Sequence, residues 1–327
     1  MTGFFSRKRA GFEICTDRIR AVLVARDRKG VKLKAIHETP SDPGMIKPGF
    51  AALNILDTAG FTAGLRSLYK QVRERRAAVV LPDASVKVLI RRYTDLPDED
   101  RLIGEMITWN IASSLNLSPD ELRVSWQYMG KTGSGQHVFL VALGLETIIQ
   151  QFEELFRSVG IQPQVLLPSS IGQLNFYTPA LPEEGTIAYL GLFDDSLNMF
   201  VFSNGIPVFH KIVKKGLLGN ESESAVNDVD LLIQYFNTEN PDLEIDQFFV
   251  ASHIKSDLML QHILQDVSNL ESQVSPDMVI EHALQQGENL DFHMLDEREL
   301  ITFDNQLKEE FKRRPLPFFS SVLGAVV

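Results

Sequence analysis

Residues 11–36 read GFEICTDRIRAVLVARDRKGVKLKAI and divide into three apolar runs separated by two polar breaks. The runs GFEI, RIRAVLVAR and VKLKAI are typical of strands, and CTD and DRKG are typical of the turns between them. In the last run the apolar residues alternate with Lys32 and Lys34, which is the period-two pattern of a strand with one buried face. The stretch therefore predicts a three-strand meander.

The same plan returns in the second half of the chain. GTIAYLGL, SLNMFVFS and IPVFHKIV lie within residues 185–213, and Asn204-Gly205, a strong hairpin signal, separates the last two. An amphipathic helix and a short apolar strand follow each meander: FTAGLRSLYKQVRER and AAVVLP in the first copy, a helix over residues 226–236 and IDQFFVAS in the second. Two copies of one plan predict a duplicated α/β protein with domains at residues 1–178 and 179–327.

Length and charge limit the class of protein. The chain has 327 residues, of which 44% are hydrophobic, and a formal net charge of -11 that argues against broad nucleic-acid binding. An internal disulfide is excluded because Cys15 is the single cysteine. No apolar run reaches the roughly 18 residues of a membrane-spanning helix, and the first residues lack the apolar core of a secretory signal. We expect a soluble, cytoplasmic protein.

The charge is distributed unevenly along the chain. Residues 1–100 contain 19 Lys and Arg against 12 Asp and Glu, whereas the remaining residues contain 13 against 31. This asymmetry has two interpretations. The basic part faces acidic lipid headgroups or an acidic partner, or it is an ordinary solvated strand face.

A separate unit interrupts the first copy at about residues 98–160. Its pattern predicts a helix through EMITWNIASSL, strands LRVSWQYMG and HVFLVALG, and a second helix that ends at Gly160. The turn between the strands, MGKTGSGQ, contains a GKT, but Ser125 stands where a Walker loop needs glycine, so a hairpin turn is predicted. The seven histidines show no metal-ligand spacing, and no metal site is expected.

The order of these elements resembles the PilM family, the actin-like cytoplasmic component of type IV pilus inner-membrane platforms. FFSRKRAGFEICTDRIRAV stands where the family has a basic segment and a G-I-D-I-G-S-S-S-I-K-like phosphate loop, and LPDASVKVLIRRYTDLP matches its LPxxxVxxR-like strand pair. ITWNIASSLNLSPDELRVSWQYMG, VGIQPQVLLPSS and PFFSSVLGAVV match its insertion, its GLxP-like step and its closing helix. The resemblance implies an actin-like, ribonuclease H-like duplicated fold with an inserted helix-strand-strand-helix subdomain. It also implies a second domain with a reduced small subdomain.

The positions that hold nucleotide in such a fold are altered in this sequence. For the first phosphate loop they are Glu13, Cys15, Thr16 and Asp17, with Glu13 and Cys15 in place of the family's Asp and Gly. For the second loop, counted back from Asn204-Gly205, they are Gly191 and Phe193, followed by Asp194 and Asp195. The adenosine-contacting step falls near Ser252 and His253.

These changes predict weak nucleotide binding or none. Loop glycines let backbone N–H groups approach phosphate oxygens, and a side chain blocks that approach. Each lost bond to a charged oxygen is worth about 1.5 to 3 kcal/mol, so two lost bonds lower the affinity by about two to four decades. We therefore expect no cofactor and no catalytic residue, although Glu13 could still reach Mg²⁺ through water. A weak Mg-ATP-binding, actin-like ATPase is the alternative.

The resemblance also implies a partner. In the PilM family, a groove between the inserted unit and the first sheet takes up the N-terminal cytoplasmic tail of the bitopic membrane protein PilN as an extended segment. The candidate groove residues here are Leu89, Ile90, Arg91, Arg92 and Trp109, and core packing is the competing interpretation for Trp109. The resemblance further implies contact with a pilus motor ATPase and a position at the inner-membrane face through the partner. A cytoplasmic domain like that of the type II secretion protein GspL, which shares the fold, is a further alternative.

The last residues, KRRPLPFFSSVLGAVV, predict a short helix with an apolar stripe over residues 318–327. A membrane-binding amphipathic helix, as in the related protein FtsA, would carry Lys and Arg on its other side, and this helix carries Ser, Ala and Gly. Docking on the first domain is therefore the favoured interpretation.

Overall fold

The computed structural model describes residues 7–27, 30–192, 196–214, 221–252, 291–295, 300–303, 307, 311 and 316–326. They form two compact units. Unit 1 combines Met1–Pro179 with Glu297–Val327, and unit 2 spans Ala180–Asp296. The sequence assigned everything after residue 178 to the second domain apart from a docked C-terminal helix. The structure instead places all residues from Glu297 onward in unit 1, to which they add a strand and a helix.

Unit 1 is built on a six-stranded sheet. Its strands are β1 (Arg7–Ile14), β2 (Arg18–Asp27), β3 (Gly30–Pro40), β4 (Arg76–Leu81), β8 (Gln162–Pro168) and β14 (Thr302–Phe303), in the order β14-β3-β2-β1-β4-β8. The first three strands form the predicted meander with antiparallel pairing, and β4 lies parallel to β1.

One face of this sheet packs against α1 (Thr58–Val72) and α3 (Glu146–Ser158). Helix α1 begins where the Asp57 side chain accepts a hydrogen bond from the Gly60 amide, and it ends at Arg73 in a left-handed conformation. Phe12 of β1 points to this face and contacts the Phe156 ring edge-on, with 5.7 Å between ring centroids. The core on this side includes Phe61, Leu65 and Leu68 of α1 and Ile148 and Phe152 of α3.

The opposite face packs against α4 (Ser169–Tyr177) and α6 (Ser320–Gly324). The two helices cross at glycines: a Cβ on Gly324 would overlap the carbonyl oxygen of Gly172 and lie 2.7 Å from the Phe176 amide nitrogen. Strand β1 also approaches α6 at a glycine, because a Cβ on Gly11 would lie 2.7 Å from Cγ2 of Val322. The apolar stripe of the C-terminal segment is buried here, in Phe319, Val322, Leu323 and Val326.

The inserted unit has different limits from those predicted. Strands β5 (Lys87–Tyr93), β6 (Leu122–Lys131) and β7 (His137–Leu145) form a sheet in the order β5-β7-β6, with α2 (Asp100–Leu115) packed on one face. The sequence placed the insertion at 98–160. Strand β5 belongs to it because β5 pairs with β7, whereas α3 belongs to the core of the main sheet. The predicted hairpin turn is confirmed between β6 and β7.

Unit 2 repeats the sheet of unit 1. Its described elements are β9 (Thr186–Leu192), β10 (Ser196–Ser203), β11 (Ile206–Lys214), α5 (Glu221–Glu239), β12 (Gln247–Ser252) and β13 (Asp291–Met294). The order β11-β10-β9-β12-β13 is that of β3-β2-β1-β4-β8, with an antiparallel meander followed by two parallel strands. The duplication read from the sequence is therefore present in the strand order. In the part of the chain described, no helix is long and apolar enough to cross a bilayer.

The close crossing of α4 and α6 gives a stability prediction. We expect Gly324→Ala to lower the free energy of unfolding by about 1 to 3 kcal/mol, because the added methyl group must push two helix backbones apart. The matched control is Gly133→Ala in the β6–β7 turn, where a Cβ meets nothing within 4 Å. Urea unfolding measures both changes, and equal midpoints for the two variants would contradict the prediction.

Candidate functional site

The residue at the predicted magnesium-facing position is Glu13, near the end of β1. It pairs in register with Arg20 of β2, and Cys15 begins the turn between the strands, its amide donating to the Arg18 carbonyl at 2.9 Å. Because Phe12 and Ile14 point toward α1, the side chain of Glu13 points to the face that carries α4 and α6. The sheet therefore places this carboxylate beneath the C-terminal segment.

Glu13 and Arg20 form a buried ion pair. Their exposed fractions are 4% and 6%, and Nη1 of Arg20 lies 3.3 Å from Oε2 of Glu13. The same Nη1 donates to the carbonyl oxygen of Phe318 at 2.7 Å. The guanidinium carbon also lies 5.4 Å from the ring centroid of Phe318 and 5.7 Å from that of Phe319, within cation–π range. Arg20 therefore ties the C-terminal segment to the meander.

The other oxygen of Glu13 faces α4. Oγ of Ser169 lies 3.5 Å from Oε1 of Glu13 and 3.0 Å from Oγ of Ser321, so the carboxylate is linked to both helices. A second carboxylate at this end of the sheet is also engaged. Asp83, just after β4, accepts from the backbone amide of Ser170 at 3.0 Å and from its hydroxyl at 2.6 Å. Both carboxylates hold helices in place.

The turn between β1 and β2 carries the side chains of Cys15, Thr16 and Asp17 at positions where a bound phosphate would need accessible backbone N–H groups. Thr16 and Asp17 are exposed, and Asp17 accepts from Nε of Arg18 at 2.9 Å. This hydrogen bond lowers the pKa of Asp17 and raises that of Arg18. Burial, reinforced by the nearby Glu13 carboxylate, raises the pKa of the Cys15 thiol well above its ordinary value. This shift disfavours the Cys15 thiolate that nucleophilic chemistry requires.

In unit 2 the strand register identifies the equivalent position. Gly191 pairs with Asn198 just as Glu13 pairs with Arg20, each one residue before the last pair of its hairpin. Ser252 ends β12 next to Leu192, so the structure brings Gly191 and Ser252 to the same edge of the sheet. Phe193, Asp194, Asp195 and His253 lie outside the described residues.

The predicted groove residues do not share one surface. Leu89 packs partly buried in the core between α2 and its sheet, and Trp109, 64% exposed, points away from that core on α2. Ile90 pairs with Leu140 and lies on the opposite face of the sheet from Leu89. Arg91 lies on the same face of the sheet as Leu89, and Arg92 lies on the same face as Ile90.

Sequence reasoning missed the residues that engage Glu13 and its partner Arg20. Arg20, Ser169 and Phe318 were not candidates. The predicted turn over CTD would pair Glu13 with Ile19, whereas the four-residue turn CTDR of the structure pairs Glu13 with Arg20. Two arginines just across a short hairpin from Glu13 were the available signal. The contact with Phe318, 298 residues further along the chain, had no local signal.

Comparison with solved structures shows which proteins have a similar fold. A chain of the PilM–PilN type IV pilus biogenesis complex matches this one with a TM-score of 0.65 and 16% sequence identity, over 97% of each chain. The fold is actin-like. The predicted fold class is confirmed, and so is the resemblance to PilM at the level of the fold.

Two further structures are similar more weakly. The cytoplasmic domain of EpsL, an inner-membrane component of the type II secretion system of Vibrio cholerae, matches with a TM-score of 0.47 and 10% identity over 80% of this chain and 94% of that one. A Bacteroides thetaiotaomicron protein with an actin-like ATPase fold and unknown function has a TM-score of 0.49 and 7% identity over 91% and 93%. Both TM-scores are too low to support an inference. No protein-family model and no curated protein matches the sequence.

The buried ion pair generates a prediction. We expect Arg20→Met to lower the free energy of unfolding by about 3 to 5 kcal/mol, because it leaves the Glu13 carboxylate buried without its cation. Adding Glu13→Gln should recover part of the loss, since the uncompensated charge is then removed. Arg18→Met is the matched control: its ion pairs with Asp17 and, at 3.9 Å, with Glu38 are partly exposed to solvent, and each is worth less than about 1 kcal/mol. Chemical denaturation gives the values, and a control variant as unstable as Arg20→Met would refute this role for the buried pair.

Proposed function

We propose that this chain is a non-catalytic, cytoplasmic component of a type IV pilus or related secretion platform. In this role it binds the N-terminal tail of a PilN-like bitopic membrane protein. The observation that carries the proposal is the match to a chain of the PilM–PilN complex over 97% of both chains, which includes the inserted unit. Through that partner the protein reaches the inner face of the membrane, where it contacts a pilus motor ATPase.

The state of the nucleotide positions in both units supports a non-catalytic role. In unit 1 the carboxylate of Glu13 is engaged by Arg20 and lies beneath the C-terminal segment, so it is not directed at a solvent-filled cleft. In unit 2 the equivalent residue is Gly191, which offers no side-chain ligand to a metal. A loop with Cys15 in place of glycine also opposes close approach by phosphate.

The inserted sheet supports the role in binding the tail. Its face opposite α2 presents the half-buried apolar side chains of Ile90, Leu140 and Ala142, with Arg92 exposed at one end. An extended peptide places alternate side chains on one side, and these can fill shallow apolar pockets of this spacing. Arg92 would pair with a carboxylate of the tail. Ile90 and Arg92 are therefore the groove residues that we retain, together with Leu140.

A labelled peptide tests the tail-binding proposal. The probe is a synthetic peptide with the N-terminal cytoplasmic residues of a PilN-like protein from the same genome, and fluorescence anisotropy measures its binding. We expect Ile90→Asp to weaken binding at least about tenfold, because it places an unpaired charge in the apolar contact. Val165→Asp, the same change at a half-exposed valine of β8, should leave the affinity unchanged. A wild-type chain that fails to bind the peptide would overturn the proposal.

Nucleotide binding separates this proposal from the ATPase alternative, which rests on the carboxylate that Glu13 retains. We expect Mg-ATP to bind at least about two decades more weakly than to a glycine-loop relative, since two phosphate-binding N–H contacts are lost. Equilibrium dialysis of the full chain with labelled ATP measures this affinity, with Glu13→Gln as the matched variant. Micromolar binding that Glu13→Gln abolishes, or turnover that depends on Glu13, would establish the ATPase instead.

A further inference from the structure

The end of the unit 1 sheet farthest from the Cys15 turn carries exposed arginines on adjacent strands. Arg9 of β1 pairs with Val24, two residues before Arg26 at the end of β2. On the other side of β1, the parallel pair Ala10–Ala77 places Arg9 beside Arg76, the first residue of β4. All three arginines are exposed, and they lie on the face that carries α6. Neighbouring strands are about 4.8 Å apart, so three cations occupy a short row.

Further cations surround this row. Arg73 ends α1, Arg75 precedes β4, and Arg157 lies in the last turn of α3, all of them exposed. We define the basic rim as this group together with the exposed lysine that precedes Arg9: Lys8, Arg9, Arg26, Arg73, Arg75, Arg76 and Arg157.

Four carboxylates lie close to rim residues in the sequence. They are Asp27, Glu74, Glu153 and Glu154, and Glu153 accepts from Nη2 of Arg157 at 3.0 Å. Arg9 also donates to the carbonyl oxygen of Val326 at 3.2 Å. Seven cations against four carboxylates leave the rim with a net positive charge in a chain whose formal net charge is -11. Like charges on neighbouring strands destabilise a sheet, and an anionic partner would reverse that contribution.

The shape of the rim indicates the class of partner. Its side chains spread over the ends of three strands and two helices and do not converge on one point. Beside them a depression of about 490 Å³, lined by Arg75, Arg157 and residues 160–164, offers room for a phosphate-bearing headgroup. An extended anionic surface satisfies such a distribution of charge better than a single acidic side chain does.

We propose that the basic rim rests directly on the headgroups of an anionic phospholipid membrane. The residues after 100 other than Arg157 contain 31 Asp and Glu against 12 Lys and Arg, and the same surface repels them. Attraction at the rim orients unit 1 with the rim toward the lipid. This contact goes beyond the proposed function, and it depends on charge placement alone and not on any partner tail.

Vesicle cosedimentation of the full chain tests the proposal. The vesicles are pure phosphatidylcholine, or equal parts of phosphatidylcholine and phosphatidylglycerol. We expect binding to the anionic vesicles only, weakening as NaCl is raised. Each basic residue near an anionic surface contributes about fivefold, so Arg26→Gln/Arg75→Gln should lower the partition coefficient about 25-fold.

The matched control removes the same net charge from the inserted unit. Arg101→Gln/Lys131→Gln changes two exposed cations outside the rim and should leave binding within about twofold of the unaltered chain. All four side chains are exposed, so both variants should keep the unfolding midpoint of the unaltered chain.

Several results would overturn the proposal. They are the absence of binding to anionic vesicles, equal binding to neutral ones, and an equal loss in both variants. Poly-glutamate or single-stranded RNA that binds the rim under salt conditions where vesicles do not bind would replace lipid with an acidic protein or a nucleic acid. The assay contains no partner peptide, so its failure would leave the proposal of tail binding standing.

Discussion

The architecture of unit 1 depends on the buried ion pair of Glu13 with Arg20. The guanidinium of Arg20 also donates to the carbonyl of Phe318. Two charges removed from water need hydrogen bonds beyond their own ion pair, and here Ser169 of α4 supplies one to Glu13 while the carbonyl of Phe318 accepts one from Arg20. The chain must therefore return to unit 1 after it has built unit 2. Glycines at the crossing of α4 and α6 make that return sterically possible.

The internal duplication shows what is special about this position. Both sheets have the same strand order, and the same register places Glu13 opposite Arg20 in one unit and Gly191 opposite Asn198 in the other. The first unit therefore holds a charged pair where the second holds a glycine and an amide. Within the described residues, the first position holds its carboxylate in an ion pair and the second carries no carboxylate, whereas Mg²⁺ bound beside a polyphosphate takes one or two carboxylates. The shared architecture and the divergent chemistry are therefore separate properties of the chain.

Local patterns allowed the fold to be predicted where partners are close in sequence. Alternation in VKLKAI and the Asn204-Gly205 turn predict antiparallel hairpins, because the residues that pair are joined by short turns. The stripe of α3 shows that one face is buried, but periodicity does not say against which sheet, so this helix was assigned to the inserted unit. Strand β5 was separated from the insertion for the same reason, since its partner β7 follows about 50 residues later.

The candidate site was predicted less completely than the fold. A resemblance of motifs was sufficient to select Glu13 and Cys15, because they stand at fixed positions in the first hairpin. Their chemistry depends on groups that only the folded chain brings together. Arg20 and Ser169 come from two elements of unit 1, and Phe318 comes from the C-terminal segment. The groove residues scattered over two faces because a run of consecutive residues in a strand points alternately to opposite sides.

In the proposed non-catalytic role, the chain obtains its location and its specificity from surfaces. The apolar face around Ile90 and the basic rim both belong to unit 1, and they are suited to two components of one membrane-bound assembly. In the proposed assembly, a membrane-anchored tail on the first surface would bring the lipid close to the second, so the second contact would form at a high effective concentration. Each contact alone can then be weak and reversible, while the two together keep the protein at the membrane. Release requires only that one of them be lost, because their joint affinity exceeds either one by a factor that depends on simultaneous engagement.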